Sequence, residues 1–186
     1  GIKLGELVFI TVGRLNPAKG INYLLEAFTS LCKVHKFVKL VVVGDGFLRE
    51  ELEGLSRSYG VSDKVIFLGE RADVRELLYV SDFFVFPTLS EGLPLSLLEA
   101  MAMGKTCIAS DIGPIKEIIK DKENGALFRT KDSNDMERVM VEVINDRIKS
   151  DQMAESGRCF VRNKYDIKKN VEHLETLYLG LNNLSS

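Results

Sequence analysis

Apolar residues in this chain arrive in two rhythms. Five short continuous runs, at residues 7–12, 38–43, 64–68, 83–86 and 106–109, are rich in Val, Ile and Phe. Runs that are apolar on both faces predict strands buried between two helical layers. Between them the spacing turns helical. Leu24, Leu25, Phe28 and Leu31 follow Gly20; Leu48, Leu52 and Leu55 follow Gly46; Val74, Leu77 and Leu78 follow Asp73. Strands alternating with helices imply right-handed crossovers and a parallel sheet. From Ser133 the alternation stops: Met136, Val139, Met140, Val143 and Ile144 form one helical stripe, and Val171, Leu174, Leu177, Tyr178 and Leu181 another. The predicted fold is α/β, a Rossmann-like doubly wound parallel sheet with helices on both faces and tail helices over about residues 151–182.

Composition supports a single domain over residues 1–186: 45% of residues are hydrophobic and the formal net charge is −2. That is enough apolar material for a core and too little positive charge for a nucleic-acid coat, so no nucleic-acid partner is expected. No repeat or Pro/Gly/Ser linker divides the chain. No apolar run approaches the roughly 18–20 residues of a membrane helix, and Gly1 to Glu6 does not open a secretory signal. Cys32, Cys107 and Cys159 are odd in number and far apart, offering neither a paired zinc spacing nor a disulfide framework. A reducing cytoplasm is the expected location. The chain opens at Gly1-Ile2 without Met, which suggests a fragment whose catalytic cleft lacks one wall.

Doubly wound sheets bind ligands beyond the carboxyl ends of their strands, near helix N-termini. After the first strand comes Gly13-Arg14-Leu15-Asn16-Pro17-Ala18-Lys19-Gly20. Neither the G-x-G-x-x-G of dinucleotide binders nor a Walker loop is present. Instead the loop presents Arg14 and Lys19 just before a helix start, where free N–H groups favour an anion. A bidentate guanidinium beside a compact ammonium suits a diphosphate; two solvated surface charges are the plainer alternative.

A second stretch, residues 90–104, reads as a loop followed by a helix that starts at Pro94 and stops at Gly104. Its residues are apolar nearly all round, which predicts a helix buried on every side, with Glu99 in its middle. A buried carboxylate needs partners, which ligand hydroxyls or a buried Arg or Lys would provide. Glu91 lies in the loop ahead, where the amides of Gly92, Leu93 and Leu95 are candidate unpaired donors at the helix start. Carboxylates that accept from hydroxyls, beside amides that donate to phosphate, match a sugar-nucleotide better than a metal. The chain also contains no Asp-x-Asp, so neither a metal nor another cofactor is expected.

Together with Val43-Gly44-Asp45-Gly46, Phe67-Leu68-Gly69, residues 81–87 and the pair Glu91/Glu99 in E-G-x-P-x-x-x-x-E, the first loop resembles the C-terminal domain of family-four retaining glycosyltransferases, which have the GT-B fold. The resemblance runs from about Leu7 to Phe128. It departs from the family pattern at Ala18, where Glu is frequent, and in Gly113-Pro114-Ile115-Lys116-Glu117. It implies that Arg14 and Lys19, beside Gly13, hold the donor diphosphate, that Glu91 binds hydroxyls of the transferred sugar, and that Glu99 binds the ribose. It further implies that the Gly92, Leu93 and Leu95 amides contact sugar and phosphate, and that the loop with Arg71 lies beside the base. The partners it implies are a nucleotide-sugar donor, the protein's own N-terminal domain, and a glycan or lipid-linked acceptor. His35 and His173 suggest no general base.

Other readings stay open on the sequence alone. They are a sugar-nucleotide epimerase or GT-B phosphorylase relative, and a non-catalytic nucleotide- or partner-binding module. Arg158, Arg162, Lys164, Lys168 and Lys169 form a basic cluster opposed by Asp166. Such a cluster suits either a solvated helix face or peripheral contact with the inner face of a membrane.

Overall fold

The computed structural model describes residues 2–165. The stripe expected over residues 171–181, with Asp166, Lys168, Lys169 and His173, lies outside the described residues. The elements run β1 (Leu7–Val12), α1 (Ile21–Val34), β2 (Val38–Val43), α2 (Arg49–Ser58), β3 (Val65–Gly69), α3 (Val74–Val80), β4 (Phe83–Phe86), α4 (Leu95–Ala102), β5 (Thr106–Ser110), α5 (Gly113–Lys116), β6 (Ala126–Phe128), α6 (Ser133–Asn145) and α7 (Arg147–Lys164). All five expected strands are present, and β6 is an addition. The six strands are parallel in the order β3-β2-β1-β4-β5-β6.

Strand alternation divides the core into two halves. Phe9, Leu40, Val42, Phe83, Val85 and Ile108 point to the face covered by α1, α2 and α6, joined by Leu24, Phe28, Leu52 and Met140. Val8, Ile10, Val41, Phe84, Phe86 and Ala109 point to the other, with Leu78 of α3, Leu97 and Met101 of α4, Ile115 of α5 and Val161 of α7. This is why the strand runs are apolar throughout: both faces are covered. Phe9 and Phe83 stack across the β1–β4 pair with ring centroids 4.8 Å apart.

The chain moves outward from β1 in one direction and from β4 in the other, so the order switches between these two strands. A crevice at that point is the geometric consequence. The exposed Arg158, Arg162 and Lys164 lie on α7, with Arg158 paired to Glu155 and Lys164 over the Phe160 ring. Among the described residues no helix is long and apolar enough to cross a membrane.

One expectation is corrected. Helix α4 buries Leu97, Leu98, Ala100 and Met101, but Leu95, Glu99 and Ala102 are exposed. It is therefore one-sided rather than buried all round, and Glu99 faces open space. Pro94 caps the helix from just outside it, and Gly104 follows its end at φ +67°.

Candidate functional site

The loops after β1 and β4 meet at the switch point, and backbone contacts fix them there. Leu15, 1% exposed, plugs the β1 loop into the core. Its N–H donates to Asp45 O at 2.8 Å and its carbonyl accepts from Leu48 at 3.2 Å, stitching the loop to the one after β2. Two glycines allow this approach: a Cβ on Gly44, at φ +125°, would stand 2.0 Å from Gly13 O, and one on Gly46 would stand 2.3 Å from Leu15 O. Residues Pro17–Lys19 then form a single 3-10 turn that ends on Gly20, whose φ of 62° a side chain would resist.

The β4 loop is tied to that turn. Leu89 N–H donates to Ala18 O at 2.7 Å, and the fully buried Thr88 hydroxyl lies 3.1 Å from Ala18 O and 3.0 Å from Ser90 O. Ser110, at the end of β5, donates its hydroxyl to Thr88 O at 2.5 Å. Thr88 and Ser110 are site-building residues that the sequence did not reveal, because a hydroxyl at a strand end carries no local signal of what it reaches. Asn16 Oδ1 is buried and has no partner among the described residues.

On this frame the structure joins Lys19 directly to Glu91 through an ion pair. The Lys19 stem runs past Gly13, 3.8 Å from where a Cβ would stand, and its Nζ lies 5.5 Å from the Phe86 ring centroid. Arg14 is exposed and forms no ion pair among the described residues. With Gly13, Gly44, Asp45, Glu70, Arg71 and Val74 it lines a cleft of about 290 Å³. The amides of Gly92 and Leu93 make no backbone hydrogen bond among the described residues, whereas the Leu95 amide donates to Leu93 O at 3.0 Å. The expected trio of unpaired donors is therefore reduced to two. A Cβ on Gly92 would meet nothing within 4 Å, so the backbone is open to close approach there.

Two predicted residues stand slightly apart. Arg71 is committed to Asp73 by two hydrogen bonds of 2.8 and 2.7 Å, which hold the Asp73 carboxyl below its usual range and raise the guanidinium. Glu99 lines a neighbouring groove between α3 and α4, which shares Val74 with the first cleft. Asp45, which the sequence placed in a motif without a role, has its carboxyl held low by the Gly46 amide and by Arg49. A larger cavity of about 400 Å³ lies between β6, α6 and α7, at the edge of the sheet. Its walls are mainly apolar, with Val139, Val143 and Met153, and none of the predicted site residues lines it. Volume alone therefore does not locate the chemistry.

The family model for glycosyl transferases group 1 matches residues 1–160. The chain belongs to this family. The UDP-Gal:alpha-D-GlcNAc-diphosphoundecaprenol alpha-1,3-galactosyltransferase of Escherichia coli is 32% identical over 97% of this chain and 47% of its own length. A structure of Anabaena Alr3699/HepE in complex with UDP and glucose superposes with a TM-score of 0.87 at 26% identity, covering 93% of this chain and 48% of that one. The C-terminal domain of a glycosyl transferase group 1 family protein (LpcC) from Francisella tularensis matches with a TM-score of 0.79 at 31% identity, over 87% of both chains. This chain thus corresponds to the C-terminal domain of the GT-B architecture and spans about half the length of the E. coli relative.

Proposed function

We propose that this chain is the nucleotide-sugar-binding half of a retaining glycosyltransferase, which moves a hexosyl group from a nucleotide-diphosphate sugar to a glycan, lipid-linked or small-molecule acceptor. The observation that carries the reading is the meeting of the β1 and β4 loops, where Lys19 touches Glu91 beside the open amides of Gly92 and Leu93. In this reading Arg14 and Lys19 hold the diphosphate and Glu91 accepts from sugar hydroxyls. Glu99, exposed in the adjoining groove, accepts from the ribose. The base lies along the backbone of residues 69–73, since the Arg71 side chain is taken by Asp73.

Transfer breaks the bond between sugar C1 and the diphosphate oxygen. Positive charge grows on the sugar and negative charge on the leaving group, and fixed cations and amide dipoles aimed at the latter lower the barrier. Arg14, Lys19 and the two amides are assigned this work, with no resident metal or cofactor. The UDP and UDP-Gal named for the relatives favour a uridine nucleotide. The proposal leaves the acceptor to an N-terminal domain, and it sets the reaction in polysaccharide or lipid-linked glycan assembly at the cytoplasmic face of a membrane.

Calorimetric titration with UDP, GDP and ADP tests the reading. UDP is expected to bind with EDTA present, and the chain alone is expected to transfer no sugar. Binding by none of the three, or binding only with added metal, contradicts it.

A further inference from the structure

Lys19 and Glu91 come from different loops, 72 residues apart in sequence, and join side chain to side chain. Both are shielded, with side chains 21% and 16% exposed. Lys19 is further held by its stem against Gly13 and its ammonium near Phe86. Glu91 has no other hydrogen-bond partner among the described residues. Each charge thus satisfies the other in the unliganded protein.

Resting on the donor-site reading above, we propose that this pair makes the site discriminate between a nucleotide that carries a sugar and the bare nucleoside diphosphate. A diphosphate reaching the β1 loop must draw the Lys19 ammonium toward itself. That leaves the Glu91 carboxylate without its partner, shielded from water and close to a new anion, which is costly on both counts. A sugar attached to the diphosphate supplies hydroxyls that donate to Glu91, so the carboxylate exchanges one partner for another. A bare diphosphate supplies only acceptor oxygens and a further negative charge, and leaves Glu91 unsatisfied. Glu91 therefore acts as a specificity residue against the leaving nucleotide: once the sugar has gone, restoring the Lys19–Glu91 pair favours release of the diphosphate.

The test compares Glu91→Gln and Glu91→Ala with the unaltered 186-residue chain. The probes are UDP with UDP-glucose and GDP with GDP-mannose, titrated calorimetrically, with thermal unfolding to confirm that each variant is folded. Both variants are expected to bind the bare diphosphate about three- to tenfold tighter, the range for releasing a partly shielded ion pair. The sugar-bearing nucleotide gains nothing or binds more weakly, so its advantage over the bare diphosphate shrinks by about tenfold or more. Equal changes for both ligands, or weaker binding of the bare diphosphate, overturn the discrimination while leaving the donor site in place. If the unaltered chain binds none of the four probes, the donor-site reading itself fails and the discrimination falls with it.

Discussion

Arg14 is exposed without an ion pair among the described residues, whereas Lys19 is shielded and paired with Glu91. Their replacement should therefore separate binding from folding to different degrees. Arg14→Ala is expected to weaken UDP binding about 10- to 100-fold, the loss of a charge-assisted hydrogen bond or two, with the melting temperature unchanged. Calorimetry beside a thermal scan checks both halves. Two glycines make a sharper contrast. Gly44→Ala puts a methyl 2.0 Å from Gly13 O at a φ of +125°, and should cost about 2 kcal/mol or more of stability by urea unfolding. Gly92→Ala meets no protein atom within 4 Å, so stability should hold while UDP-glucose affinity falls, because the added methyl occupies the open approach to the amides.

At the scale of elements, the site depends on two loops keeping their relative positions, and the Thr88 hydroxyl lies between the carbonyls of Ala18 and Ser90. Thr88→Val keeps the shape and removes the link. It should cost about 1–3 kcal/mol through unpaired buried groups, and it should weaken nucleotide binding although Thr88 is too deep to touch ligand. Thr88→Ser should restore both; a Val variant with native affinity would show that the loops hold without the clip. The elements themselves were largely legible, since β1 to β5 are apolar on both faces and long enough to stand out. Strand β6, with three residues, carries too few positions for any period to show. Helix α4 misled for a physical reason: Leu95 is 61% exposed beside the candidate site, and an apolar residue at a site mouth reads the same as one in the core. The residues gathered where the β1 and β4 loops meet could be singled out from their placement after strands, whereas the Lys19–Glu91 pairing could not, because only the parallel sheet brings positions 72 residues apart into contact.

At the scale of the whole molecule, part of the acid sensitivity lies in carboxyls at the end of β5 and in α6. The Asp111 carboxyl is held below its usual value by the Thr130 amide and hydroxyl. Asp135 is also held low: burial opposes this, but the Arg129 amide and the Arg138 guanidinium outweigh it. A carboxyl lowered on folding stabilises fully above its unfolded value of about 3.9 and loses that contribution as pH falls through the lower folded value. Melting temperature should therefore fall steeply below about pH 4, and Asp111→Asn should flatten that fall while lowering stability at neutral pH. An unchanged acid slope in the variant would remove Asp111 from the account.

A nucleoside diphosphate is expected to bind where the β1 and β4 loops meet. Backbone amide NMR of the chain during UDP titration reads this binding residue by residue. The expected result is that the largest shifts fall on Gly13, Arg14, Gly92 and Leu93 and need about 10- to 100-fold more UDP in Arg14→Ala. Shifts centred instead on Val139, Val143 and Met153, around the larger cavity at the sheet edge, would contradict it.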